Sequence, residues 1–225
     1  MPSLVEDRTF TRRGPAPAAP FQVRQRRPED LFQVARLMAR TYPPPHPAEA
    51  VWSEEALLEH IHRFPQGQIL AEGPDGQILG DSTGMRVDLQ TAIRPHTWRE
   101  ITARGHLTTH DPRGDVFYGV DIAVDPAWRC LGVASAIYAA RFRTARELGC
   151  RAFVAGARIP DYHRVAHTVS PERYIMEVKA GLRTDATLSK QLHLGFRVLA
   201  VLPGYFDDHE SKDFAVLIVK SLEDA

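Results

Sequence analysis

Cysteine is scarce: the 225 residues hold two, Cys130 and Cys150. They flank a stretch of helical character, which places them roughly 28 Å apart at ~1.5 Å per residue. A disulfide needs its Cα atoms within about 7 Å, so no internal bridge is expected, and two free thiols fit a reducing compartment. Charge of one sign is also lacking, with 28 basic and 28 acidic side chains. Nucleic acid is therefore not expected as the main partner, since binding phosphate backbone draws on a basic excess. No apolar run approaches the ~20 residues of a membrane helix. Residues 1–20 carry charges and prolines but no apolar h-region, so they do not read as a signal peptide. A cytoplasmic location is the expectation. No internal repeat or linker divides the chain, and a hydrophobic content of 44% suits an ordinary soluble core.

Residues 1–20, with R-R-G-P-A-P-A-A-P, read as a flexible N-terminal tail, and residues 21–225 as one domain. A first strand is expected over 21–26. Pro28, Glu29 and Asp30 suit the first turn of a helix whose apolar face is Leu31, Val34, Ala35 and Met38. The prolines at 43–45 end it. The loop Y-P-P-P-H-P is either a pocket wall or a plain spacer. Ser53 caps a second helix that Pro65 terminates. Residues 68–72 and a run from 77 to about 87 flank G-P-D-G, a hairpin signal. Residues 91–114 mix helical and loop character. Their histidines, His96, His106 and His110, do not make a metal site, because a ligand set needs three or four convergent groups.

Residues 116–124 form a strongly β run. By alternation, Val116, Tyr118, Val120, Ile122 and Val124 share one face. Phe117, Gly119, Asp121 and Ala123 share the other, a mostly small face around one carboxylate. That face either admits a ligand chain or packs closely on a helix. After Asp125-Pro126 comes a tight loop with one glycine, then a helix to Leu148, stopped by Gly149. A strand at 151–157 completes a βαβ unit, hence a parallel pair. A helix start directly after a strand holds an anion on free amide hydrogens without any lysine. Two further helices, from Ser170-Pro171 and from Thr184 or Asp185, lead to an antiparallel pair at 196–202 and 214–219.

The spacing R-x-x-G-x-A (Arg129, Gly132, Ala134), the V-D-P before it and the L-G-F at 194–196 resemble the GCN5-related N-acetyltransferase (GNAT) superfamily. The element order agrees over about residues 21–220. In the C-terminal half, A-R-I-P-D-Y-H-R, S-P-E-R-Y-I-M-E-V, L-S-K-Q-L-H-L-G-F and the segment from V-L-P-G-Y-F-D-D-H-E-S-K-D-F look like a subgroup sometimes fused to nitrilase-type carbon–nitrogen hydrolases. No hydrolase domain is recognisable in the chain itself.

The resemblance implies an α/β (α+β) GNAT fold: a mixed central sheet of about seven strands, flanked by helices, with a splayed fourth and fifth strand. It implies an acetyl-CoA-dependent N-acetyltransferase, with direct attack of a primary amine in a ternary complex. The amides of Leu131, Gly132, Val133 and Ala134 would cradle the pyrophosphate, and Arg129 would add charge-assisted bonds. Ile122 and Val124 would carry pantetheine by main-chain groups. Asp121 is the candidate base, with a structural acceptor as the equal alternative. Many family members place a tyrosine four residues before the glycine of L-G-F. Here that residue is Gln191, which is no proton donor. Tyr162 is the candidate acid, with Tyr118, Tyr205, Ser189 or water as substitutes. Tyr118, Arg158, Asp161 and His163 are candidate substrate-pocket residues. The partners expected are a small-molecule or peptide amine and a second copy in a homodimer, with no membrane, no nucleic acid and no metal. Gln191 also leaves open a CoA-binding sensor or partner module without turnover.

Overall fold

The computed structural model describes residues 20–223, so nearly all of the expected tail lies outside the described residues. A seven-stranded sheet runs in the order β1-β2-β3-β4-β5-β7-β6. Its strands are β1 Gln22–Gln25, β2 Gln68–Glu72, β3 Ile78–Val87, β4 Val116–Val124, β5 Ala152–Arg158, β6 Arg197–Leu202 and β7 Ala215–Ser221. The β4–β5 pair is parallel and every other neighbouring pair is antiparallel. The parallel pair needs a crossover, and α5, Val133–Glu147, supplies it.

Helices cover both faces. The first face carries α1 (Leu31–Thr41) and α2 (Glu54–Arg63), joined by α3 (Leu89–Ile93) and α4 (Trp98–Ile101). Val34, Leu37, Met38 and Leu57 pack there with Tyr118, Val154 and Leu217 of the sheet. The second face carries α5, α6 (Pro171–Lys179) and α7 (Leu188–His193). There Tyr138 and Phe142 of α5 meet Phe117, Phe153, Tyr174 and Leu188. Because both faces are covered, β2 and β3 are almost continuously buried, and β3 buries Asp81, Ser82 and Thr83 along with its apolar residues.

Side-chain caps set the helix starts. Ser53 accepts from Ala56 N at 3.2 Å, and Ser170 from Arg173 N at 3.3 Å. Asp185 accepts from Thr187 N and Leu188 N ahead of α7. Residues 91–114 resolve into the two short helices α3 and α4 followed by irregular chain. No helix among the described residues is long and apolar enough to cross a membrane.

His60 on α2 is fully buried and stacks edge-on against Trp52. Its Nε2–H donates to the Gly105 carbonyl at 2.7 Å, which ties α2 to the loop after α4. Burial pushes its pKa down to about 4, so it stays neutral in the fold while the unfolded chain protonates near pH 6.5. Between those values the unfolded state binds more protons, and stability falls as pH drops. Urea unfolding should show this loss between pH 6.5 and 4. His60→Gln keeps a donor for Gly105 and should reduce the loss by about 3 kcal/mol. Parallel pH profiles of the two proteins would contradict the assignment.

Candidate active site

β4 and β5 are paired only from Val116–Ala152 to Gly119–Ala155. Beyond Gly119, β4 stays with β3 as far as Val124–Gly80, while β5 stays with β7 as far as Arg158–Ala215. Each strand keeps one partner, so the two diverge and a cleft opens between them. A register shift marks the point: Thr83 opposes Asp121 while Gly84 opposes Gly119, which leaves Val120 as an extra residue on β4. Such a bulge bends a strand and increases its local twist.

The bulge corrects the simple alternation expected from sequence. Val116, Tyr118 and Val120 pack on the first face, but so does Ala123, and Ile122 and Val124 lie on the second. Asp121 accordingly faces α2 rather than sharing a face with Phe117 and Gly119. Its Oδ1 accepts from Thr83 N at 2.7 Å and its Oδ2 from Trp52 Nε1 at 2.9 Å.

The backbone of β4 past the bulge is oriented for a ligand. Asp125 N donates to the Leu79 carbonyl at 2.9 Å. By the two-residue alternation of an antiparallel ladder, the main-chain groups of Val124 and Ile122 then point away from β3, into the cleft. The Tyr42 hydroxyl donates to the Ile122 carbonyl at 3.1 Å. That leaves the Ile122 amide and one lone pair of its carbonyl open toward the cleft.

At the open end of β4 the chain turns through Arg129 to Gly132 into α5. Cys130 has φ +61° and Gly132 φ +91°, the second a left-handed conformation that glycine adopts without strain. A Cβ built on Gly132 would meet nothing within 4 Å. The helix has no side-chain cap, and its first i→i−4 bond is Ala136 N to Gly132 O at 3.0 Å. The amides of Val133, Ala134 and Ser135 are left for an outside acceptor. Arg129 and Leu131 are exposed beside them. A helix start of this kind, with free amides and a nearby cation, is suited to an anion.

Counted with the solvent at its open mouth, the cleft holds about 930 Å³ of free space. Tyr42, His46 and Ala50 form part of its wall, so the proline-rich loop and the segment after it are pocket wall rather than spacer. Arg158 closes the C-terminal end of β5. Its guanidinium donates to Asp208 at 2.6 and 2.9 Å and to Glu210 at 2.8 Å. Burial raises the Asp208 carboxyl, but the Arg158 bonds and charge outweigh it and hold the pKa below the usual value. His46, Asp208 and His209 approach within 4.8 Å of one another. Asp208, however, already accepts from Arg158 and from Ser211 Oγ at 2.5 Å. Burial and the Arg158 cation also lower the His46 pKa. A cation sits where a metal would need free anionic oxygen.

Of the residues expected in the site, Asp121, Ile122 and Arg158 line the cleft. Tyr118 lies one layer behind it, bonded to His96 Nε2 at 2.7 Å and to the Tyr205 hydroxyl at 3.0 Å. Burial raises the pKa of Tyr118 well above the ordinary value and that of Tyr205, which does line the cleft, to about 12. Tyr162, Asp161 and His163 are placed outside the cleft lining. The Tyr162 hydroxyl donates to Val169 O at 2.9 Å, and Asp161 accepts from Ala186 N at 2.8 Å. His163 Nδ1 pairs with Pro160 O at 2.7 Å. The short helical turn after β5 folds back on α6 and α7 instead of reaching the cleft.

Two cleft residues escaped the sequence reading. Gln191 donates its amide to the Tyr138 hydroxyl at 3.0 Å, and both line the cleft. Tyr138 is thus brought beside the residue that replaces the expected tyrosine. The available signal was its position on α5, one turn past Ala134. Arg141, one turn further, is the second.

The chain matches the family model described as Acetyltransferase (GNAT) family over residues 31–167. It is 33% identical over 189 residues to the uncharacterized N-acetyltransferase YkwB of Bacillus subtilis, covering 84% of this chain and 83% of YkwB. The probable hydrolase YhcX of the same organism is 32% identical over 191 residues, again across 84% of this chain but only 36% of YhcX. Among solved structures, the GphF GNAT-like decarboxylase in complex with isobutyryl-CoA superposes with a TM-score of 0.75 at 24% identity. That match covers 90% of this chain and 100% of GphF, and at that identity it speaks to the fold alone.

Asp121 joins Trp52, β3 and β4 through two hydrogen bonds. Asp121→Ala leaves two donors without their acceptor and should lower unfolding stability by about 1–3 kcal/mol. Asp121→Asn retains one acceptor and should lose less. Urea melts of the three proteins test this, and an unchanged midpoint in the alanine variant would refute the structural part of its role.

Proposed function

The chain belongs to the acetyltransferase (GNAT) family, and from that premise we propose that it moves an acetyl group from acetyl-CoA to a primary amine in a ternary complex. One observation carries the reading: the opened β4–β5 pair leads straight to an uncapped helix start. The pyrophosphate is assigned to the amides from Leu131 to Ala134, with Arg129 beside it, because an anion at a helix N-terminus gains both hydrogen bonds and dipole. Pantetheine is assigned to the main-chain groups of Val124 and to the Ile122 amide. The amine enters from the side walled by Tyr42, Trp52, Trp98 and Tyr205. Its nitrogen attacks the thioester carbonyl, a C–N bond forms and the C–S bond breaks.

Asp121 is assigned the amine proton, since each of its oxygens retains a lone pair beyond its one bond to Trp52 or Thr83. Tyr138, oriented by Gln191, is assigned the proton for the departing thiolate. This takes the place of Tyr162, whose hydroxyl is committed to Val169. Arg158 holds the β5 end of the cleft in shape through Asp208 and Glu210. A CoA-binding module without turnover is the second reading, favoured by Gln191 at the usual tyrosine position.

Calorimetry with acetyl-CoA and CoA should show saturable binding. Gly132→Glu, which sets a carboxylate at the cradle, should weaken it at least about tenfold. With a panel of amines, free thiol should appear, and Tyr138→Phe should lower turnover about 100-fold at unchanged acetyl-CoA affinity. No saturable binding would sink both readings; binding without thiol release across the panel would leave the second.

A further inference from the structure

Arg141 lies on α5 at the apex of the cleft, where β4 and β5 part, and it is only 1% exposed. A Cβ on Gly119, the last paired residue of β4, would sit 2.8 Å from its Nη2. Glycine at that position is what admits the guanidinium. Nη2 donates to the Thr83 carbonyl at 3.0 Å, while Nε has no partner among the described residues. The group is packed over the Phe153, Tyr138 and Phe117 rings, at 4.9, 5.6 and 5.8 Å from their centroids.

The other buried arginines differ. Arg26, equally enclosed, is bonded by Asp81. Arg158 has Asp208 and Glu210. Arg141 forms no ion pair among the described residues, although a buried charge without a partner is strongly unfavourable.

We infer that Arg141 is a carboxylate receptor for the acyl chain, so that the preferred donor is a CoA thioester whose acyl group ends in a carboxylate. The inference rests on the proposed CoA site in the cleft and puts a carboxylated acyl group in place of acetyl as the preferred cargo. Its location decides between donor and acceptor. The pyrophosphate cradle and the Val124 backbone line up along β4 toward Gly119, so the chain end beyond the thioester reaches the apex. The acceptor side is walled by Trp52, Trp98 and Tyr205 on the opposite face. A planar guanidinium binds a carboxylate through two N–H groups, which gives selectivity as well as affinity.

The test is calorimetry of the full chain with malonyl-CoA and glutaryl-CoA against propionyl-CoA and valeryl-CoA, with CoA itself alongside. At least one carboxylated thioester should bind about 10- to 100-fold more tightly than its uncharged counterpart. In Arg141→Met the ratio should collapse to about one, and Arg141→Lys, which keeps charge but not the fork, should fall between. A wild-type ratio near one overturns the inference without recourse to any variant, as does a ratio that survives in Arg141→Met. A preference confined to carboxylated amines would put the carboxylate on the acceptor and also overturn it. If CoA itself fails to bind, the reading of the cleft falls first, and that outcome is distinct from the others.

Discussion

A β-strand has two hydrogen-bonding edges, and β4 and β5 each spend one of them elsewhere. Because β3 holds β4 and β7 holds β5 to their ends, the two strands separate past Gly119 without either losing its place in the sheet. The rest of the site depends on this divergence. It exposes main-chain groups of β4 that would otherwise be paired, and buried backbone groups of that kind require a partner. An extended ligand with amide groups of its own is the natural complement. The bulge at Val120 adds the second element, since it turns Asp121 toward α2 and its anchoring partners Trp52 and Thr83.

Electrostatics within the cleft is arranged by position along it. The uncapped start of α5 gives positive potential at one end without a lysine. Arg158 is neutralised by two carboxylates and serves the shape of the wall. Arg141, in an aromatic nest, forms no ion pair among the described residues, and Asp121 and Asp81 act on its charge from farther off. Burial lowers its pKa, and an anion brought to it would stabilise its charged form. Tyrosines line or back the remaining walls, and burial keeps Tyr42 and Tyr205 protonated, with both pKa values raised to about 12. These two tyrosines therefore present fixed donors to the cleft near neutrality.

Much of this was legible in the sequence. Ser53, Ser170, Gly149 and the G-P-D-G turn mark element ends by local chemistry, which acts within a few residues, and the elements lie where those signals place them. The R-x-x-G-x-A loop is local in the same sense. What could not be read is long-range. The bulge exists only in the register between β3 and β4, so alternation counted along β4 alone put Asp121 on the wrong face. Tyr162 and Asp161 follow β5 directly, yet their bonds to Val169 and Ala186 draw them toward α6 and α7. Tyr138 and Arg141 share one helix, and only the fold brings Gln191 and Gly119 beside them.

The central claim is that the divergent strands and the start of α5 form one continuous CoA site. A crystal structure of the protein grown with CoA tests it most directly. The account predicts pyrophosphate oxygens within hydrogen-bonding distance of the amides of residues 131–134, and pantetheine lying between β4 and β5 on the main chain of Val124. CoA bound elsewhere on the molecule, with the β4–β5 opening empty of ligand, would contradict it.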